Sequence, residues 1–412
     1  MIDYQEFTLD NGLRVYVHQD ITLPTATVNV LYDVGSRDEE ENKTGFAHLF
    51  EHLMFGGSVN IPFFDEQLQR VGGENNAFTS PDITNYYISL PSDNLETAFW
   101  LESDRMLGLS FDPKVLEVQQ KVVIEEYKQQ YLNQPYGDVQ KRIKTLSYQK
   151  HPYRWPTIGK DIAHIEKATM QDVKAFFYKY YRPNNAILVV AGNVVFDDVR
   201  RLAEKWFGPI PSGKKNMRNL PGEPRQQAKR TEHVYADVPL DAIYKTYHVP
   251  GRHQKGYYTA DLMSDVLGRG KSSRLYEELV NKKQLFSSIN AYISGSIDPG
   301  LLYISGKLNK GVDLEEADGA IAEVIHSVQE GDLEETEVEK VKNQAEASIV
   351  FSELDLLNRA MNLSYAALLG NPDLVNRESE MIQGVDGHDI QLMAKDVLHE
   401  ANSNTLYYHA QH

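Results

Sequence analysis

The chain is predicted to be an α+β protein built from one α/β unit present twice. Three observations carry this expectation. Its 412 residues exceed one ordinary domain and suit two. Runs rich in β-branched and aromatic residues alternate with longer helical patterns. Stretches of the first half also recur in the second, at a spacing of domain length rather than the short period of a solenoid.

The elements follow in order. Strand-like runs cover Leu13 to Val17 and Ala26 to Tyr32. After a short apolar helix around residues 46–54, strand patterns resume at Asn76-Ala77-Phe78-Thr79 and from Asn85 to Leu90. Helical patterns cover 93–108, 113–133 and 169–181, and the apolar run Ala186 to Gly192 is a buried strand. Ser212 to Lys229 is polar, with two prolines and several basic residues, which is linker composition. The expected division is therefore a domain over 1–211, a linker over 212–229 and a second domain over 230–412.

The repeat is read from two echoes. Thr169-Met170-Gln171-Asp172-Val173, a helix and then Ile187-Leu188-Val189 are matched by Asp386-Gly387-His388-Asp389-Ile390, a helix and then Thr405-Leu406-Tyr407. The offset is 217 residues, with a slip of one before the strand. Tyr32-Asp33-Val34-Gly35-Ser36-Arg37 is likewise matched by Tyr247-His248-Val249-Pro250-Gly251-Arg252.

Composition narrows the function. A formal net charge of −17 and no basic stripe argue against a nucleic-acid partner. With no cysteine there is no disulfide framework and no thiolate nucleophile. No run of 18 apolar residues occurs, so no membrane span is expected. The residues from Met1 to Glu6 carry no basic and apolar leader pattern. A cytoplasmic protein is expected, or a periplasmic one if a leader has been removed.

The chemistry is concentrated in His48-Leu49-Phe50-Glu51-His52. Residues four apart share a helix face, so His48 and His52 can offer two imidazoles to one ion. Glu51 stands beside them and can reach a water on that ion. Two imidazoles and a carboxylate suit zinc, one per chain, which lowers the pKa of its water while the glutamate takes the proton. Thr44 is placed to cap the helix and Gly56-Gly57 to stop it. Polar groups on so apolar a helix are costly to bury unless something satisfies them. The second half has no such motif: Ala260-Asp261-Leu262-Met263-Ser264-Asp265 stands in its place. That half is expected to be a wall and not a second active site.

These motifs resemble the inverzincin family of pitrilysin, insulin-degrading enzyme and mitochondrial processing peptidase. The likeness runs through His48 to Gly57, Asn76-Ala77-Phe78-Thr79 and Val122-Val123-Ile124-Glu125-Glu126, with weaker matches at His151-Pro152-Tyr153, Gly192 and Ser273-Arg274-Leu275. It implies two homologous α/β-sandwich halves, each a mostly antiparallel sheet covered by helices, acting on peptides or unfolded segments in a closed chamber. It also implies a third zinc ligand from a distant glutamate. The candidates are Glu125 and Glu126, and helix geometry prefers Glu126, three and four residues after Val123 and Val122 on the inward stripe. Gln119 occupies the place where relatives carry a further, supporting glutamate. Asn76, Ala77, Phe78 and Thr79 match the strand that pairs with extended substrate, Phe78 lining an apolar pocket. His151 is read as structural.

One departure matters. Relatives supply an Arg and a Tyr from the second half to hold the scissile carbonyl, and counting from Ser273-Arg274-Leu275 those places fall on Val280 and Ser287. Losing one such donor typically costs about 10²–10³ in rate. Lys282, Lys283 and Tyr292 do not fit the spacing. The resemblance thus implies the zinc-bearing subunit of a two-chain enzyme, whose homologous partner supplies the Arg/Tyr pair, or else a homodimer. The rival expectations are a non-catalytic assembly subunit and a peptide-binding module.

Overall fold

The structure, a computed structural model, describes residues 1–331 and 333–411. It forms two compact units. The first comprises Met1–Lys128, Trp155–Pro221 and Val350–Arg377; the second comprises Gln129–Arg154, Gly222–Ile349 and the chain from Glu378 onward. The change of unit at Pro221 falls inside the stretch 212–229, which carries no helix or strand. The division into 1–211 and 230–412 nevertheless differs from these units, because each takes in a segment from the other half of the chain.

The reason lies in two amphipathic helices. Leu356–Leu368 buries Leu356, Ala360, Leu363 and Ala367 in one cluster with Ile187, Val189 and Ala191 of the first unit's sheet. Val139–Ser147 buries Val139 and Ile143 in a cluster with Leu301, Leu406 and Tyr408 of the second. An apolar stripe states that a face must be covered. It does not state which sheet covers it.

The first unit is built on a six-stranded sheet. Its strands are β1 (Gln5–Thr8), β2 (Arg14–Gln19), β3 (Thr25–Tyr32), β4 (Glu74–Thr79), β5 (Thr84–Pro91) and β6 (Ala186–Gly192), in the order β1-β2-β6-β3-β5-β4. Only β2 and β6 run parallel. The second unit has five strands: β7 (Arg230–Ala236), β8 (Ala242–Val249), β9 (Phe286–Ile293), β10 (Gly300–Leu308) and β11 (Ser403–Ala410). Their order is β7-β11-β8-β10-β9, with only β7 and β11 parallel. Both units are therefore mostly antiparallel sheets covered by helices, as expected. β6 is buried along its whole length, which accounts for its unbroken apolar run.

The duplication is visible in register. Tyr32 pairs with Ala186, and Tyr247 pairs with Ser403, which lies 217 residues after Ala186. The helices Met170–Tyr180 and Gly387–Val397 begin at reciprocal capping boxes, Thr169 with Asp172 and Asp386 with Asp389. The offset of 217 thus continues into the strand, and the expected one-residue slip is absent. Gly35-Ser36-Arg37 and Gly251-Arg252 also play one part in both units. A side chain at Gly35 would stand 2.4 Å from the carbonyl of Pro81, and one at Gly251 would stand 2.4 Å from that of Ile297. Only glycine lets these loops lie against the neighbouring turns.

Candidate metal centre and substrate strand

The histidine helix spans Phe46–Leu53. Phe46, Ala47, Leu49, Phe50 and Leu53 are buried, while His48, Glu51 and His52 lie on the side the core does not take. Behind it, the Phe50 ring stacks on Tyr181 and Phe176 at centroid distances of 5.0 and 5.1 Å. Pairs of this kind contribute about 0.5–1.5 kcal/mol each beyond area burial. The Tyr86 hydroxyl adds a hydrogen bond to the Phe50 carbonyl at 3.2 Å.

The start of this helix corrects the sequence reading. Thr44 does not cap it; its hydroxyl accepts from the Lys160 N–H and meets His164. Gly45 occupies the cap with φ of +88°, and a side chain there would stand 2.6 Å from the Ile158 carbonyl. The carboxylate of Glu39 does the capping, accepting from the N–H groups of Gly45 and Ala47 at 2.9 Å each. Burial pushes the Glu39 carboxyl up to about 8, against the opposing pull of those two bonds. Nothing local in the sequence marks Glu39, because it reaches the helix only once the loop has folded back.

The second helix, Pro113–Tyr127, starts with Asp112 accepting from the Lys114 N–H and Pro113 in its first turn. Its regular part is shorter than the expected 113–133 and passes into a wider turn over Lys128–Leu132. Leu116, Val123 and Tyr127 form the buried stripe, whereas Val122 is exposed. The preference for Glu126 therefore rests on Val123 and not on Val122. Glu125 points outward, 63% exposed, and bonds Lys128 at 2.7 Å. Gln119 lies two turns before Glu126 on the same helix and is half-buried.

The structure brings His48, His52 and Glu126 together. Oε2 of Glu126 stands 3.6 Å from Nε2 of His48 and 3.5 Å from Nε2 of His52. These are too long for hydrogen bonds. They match the edges of a tetrahedron, about 3.4 Å for ligand bonds of about 2.1 Å. Burial holds the His48 pKa down and so favours the neutral, ligating imidazole. Its Nδ1 is buried with no hydrogen-bond partner, which leaves Nε2 as the nitrogen aimed at the carboxylate. Among the described residues, this is the one group of three or more His, Cys, Asp or Glu side chains able to share an ion. Two neutral imidazoles and one carboxylate fit zinc.

Beside this cluster lies β4, the edge strand of its sheet. Asn76, Ala77, Phe78 and Thr79 all sit on it, alternately more and less exposed, with Phe78 39% exposed. The N–H of Ala77 donates to the side-chain oxygen of Asn76 at 2.8 Å, so a side chain serves that backbone group on the open edge. The Thr79 hydroxyl donates to Oε2 of Glu51 at 2.7 Å. This link joins residues 28 apart in the chain, so no local sequence pattern marks it.

In the second unit, Val280 packs against the apolar core. The Ser287 hydroxyl donates to the Lys307 carbonyl at 3.1 Å. Lys282 is paired with Glu278, and Lys283 with Glu323. His151 is buried and faces Asp298 at 3.3 Å. No helix among the described residues is long and apolar enough to cross a membrane.

Comparison with known proteins shows the family. The insulinase (peptidase family M16) model matches residues 14–161, and the peptidase M16 inactive-domain model matches residues 167–345. A Helicobacter pylori protein named zinc protease PqqE is 32% identical over 406 residues, covering 97% of this chain and 89% of its own. An uncharacterized zinc protease of Bacillus subtilis, YmxG, is 27% identical, covering 95% of this chain and 96% of its own. Among solved structures, a protease from Helicobacter pylori superposes with a TM-score of 0.93 at 29% identity, covering 99% of this chain and 100% of that one. The chain belongs to the M16, or insulinase, family of peptidases.

Proposed function

We propose that the protein is a zinc-dependent endopeptidase that hydrolyses peptides or unfolded segments. The observation that carries this is the convergence of His48, His52 and Glu126, with Glu51 beside them and the open edge of β4 next to Glu51. His48, His52 and Glu126 would hold the zinc. When bound, that ion supplies Lewis acidity and a water acidified toward neutral pH. Glu51 is the general base that receives the proton. β4 takes the substrate as an added strand, so main-chain bonds give affinity over many sequences and Phe78 adds an apolar preference. Gln119 supports Glu126 from the same helix face.

The proposal includes a second chain. Val280 lies against the core and Ser287 is bonded to the backbone, so neither is a donor to a developing oxyanion. A homologous chain carrying the Arg and Tyr would complete the chamber, making this the zinc-bearing subunit of a heterodimer; a homodimer is the fallback. A cytoplasmic location is the accompanying proposal, or a periplasmic one after removal of a leader. Cleavage of a quenched peptide, with zinc analysis, tests the reading. Zinc-dependent turnover, alone or with the partner, supports it. Zinc without cleavage in either case would leave an assembly subunit or a peptide-binding module.

A further inference from the structure

We infer that Thr79 is a positioning residue for Glu51, so that one strand both receives the peptide and orients the base. This rests on the peptidase reading above. Among the described residues, Thr79 is the one hydrogen-bond donor to Glu51, Oγ1 to Oε2 at 2.7 Å. Glu51 is half-buried on the helix side the core does not take, and its three side-chain torsions are otherwise free to sample. The rotamer freedom lost and one charge-assisted hydrogen bond are comparable in size, so a single hydroxyl is enough to choose the conformer. Oε2 is taken by that bond. Oε1 is left to receive a proton.

Thr79 is itself well anchored. It is the last residue of β4, paired with Thr84 across the hairpin. The turn that follows is held by the loop before the histidine helix: the N–H of Ser36 donates to the Ser80 carbonyl at 3.3 Å, and that of Arg37 to the Pro81 carbonyl at 3.0 Å. The Arg37 guanidinium pairs with Asp82 at 2.8 Å, both side chains almost fully buried. The hydroxyl therefore has a backbone position fixed from two sides. A peptide pairing with the open edge of β4 is placed in register with the strand whose last side chain sets the base. Thr79 thus has a role on its side chain distinct from that of the strand's backbone.

The test compares Thr79→Val, which keeps the shape and loses the donor, with Thr79→Ser, which keeps the donor. Kinetics use the full chain, with its partner if turnover requires one, on a quenched peptide. Thr79→Val should lower kcat about 10–100-fold with KM within about twofold and zinc content unchanged. Thr79→Ser should stay within about threefold of wild type on the same measures. Unchanged kcat in Thr79→Val would overturn the inference. So would an equal loss in Thr79→Ser, since the methyl and not the hydroxyl would then matter. Crystal structures of both variants give a readout free of activity. The Glu51 carboxylate should leave its wild-type place in Thr79→Val and keep it in Thr79→Ser; a carboxylate unmoved in Thr79→Val also overturns the inference. Should the wild type cleave nothing, the peptidase reading fails, while the crystal comparison still decides the role of Thr79.

Discussion

Glu126 and Glu125 are adjacent acids on one helix, and the structure assigns them opposite consequences. Zinc sites bind with apparent free energies of about 10–16 kcal/mol at neutral pH, or about 3–5 kcal/mol for each of three protein ligands. Glu126→Gln removes the carboxylate proposed as the third ligand, whose Oε2 stands 3.5 and 3.6 Å from the two imidazoles. It should therefore weaken zinc binding by about 10²–10⁴-fold. Glu125→Gln removes an exposed partner of Lys128, and exposed pairs contribute about 0–1 kcal/mol, so zinc affinity should change less than about twofold. Competition against a chromophoric chelator at fixed pH measures both. Equal losses, or a larger loss at Glu125, would refute the helix-face argument and the ligand assignment together.

Four further outcomes are expected. Purified protein should hold about one zinc per chain, and His48→Ala or His52→Ala should empty the site by metal analysis. Glu51→Gln should retain the metal and lose turnover by about 10²–10⁴-fold, because it removes a base and not a ligand; retained activity would mean that another group takes the proton. Phe50→Ala should cost about 3–5 kcal/mol in denaturant unfolding, since a fully buried ring stacked on Tyr181 and Phe176 leaves a cavity. Glu39, raised to about 8 by burial, favours its protonated form in the fold. Its stability contribution is complete below the usual carboxylate range and is lost as pH climbs through about 8. Melting of metal-free wild type should therefore fall from pH 5 to pH 9 by more than that of Glu39→Gln, and parallel curves would contradict this.

The sequence made the elements and the histidine pair legible because both depend on local period. Residues four apart share a helix face whatever the rest of the chain does, and β6 runs from Ala186 to Gly192 as its apolar stretch suggests. What stayed hidden depends on contacts far apart in the chain. Glu39 caps the histidine helix across a loop, and Thr79 meets Glu51 only when the hairpin lies over the helix. Val122 and Val123 look alike in the sequence, yet one is exposed and the other buried, since the helix presents only part of its apolar surface to the core. The helices Val139–Ser147 and Leu356–Leu368 show their stripes plainly, but their partner sheets follow from topology alone.

The duplication also bears on why, among the described residues, a group of side chains able to share an ion is found in the first unit alone. Gly45 begins the histidine helix at φ of +88°, and Gly256 begins Tyr257–Gly268 at +94°. Aligned on these glycines, His48, Glu51 and His52 correspond to Thr259, Leu262 and Met263. Leu262 and Met263 are buried at 1% and 0% exposure, so the face that carries chemistry in the first unit is turned into core in the second. Such a helix gains apolar burial where the first accepts the cost of polar groups held half in water. A single substitution in the second unit cannot recreate the site, because the three positions now carry Thr259, Leu262 and Met263 and all three would have to change. On the two-chain reading proposed above, the Arg and Tyr donors come from another chain. Mixing with a homologue that lacks the histidine motif but keeps the Arg and Tyr should raise turnover from slow or silent to readily measured. Efficient cleavage by this chain alone, unaffected by replacing Lys282 and Lys283, would show that the missing donor lies within it.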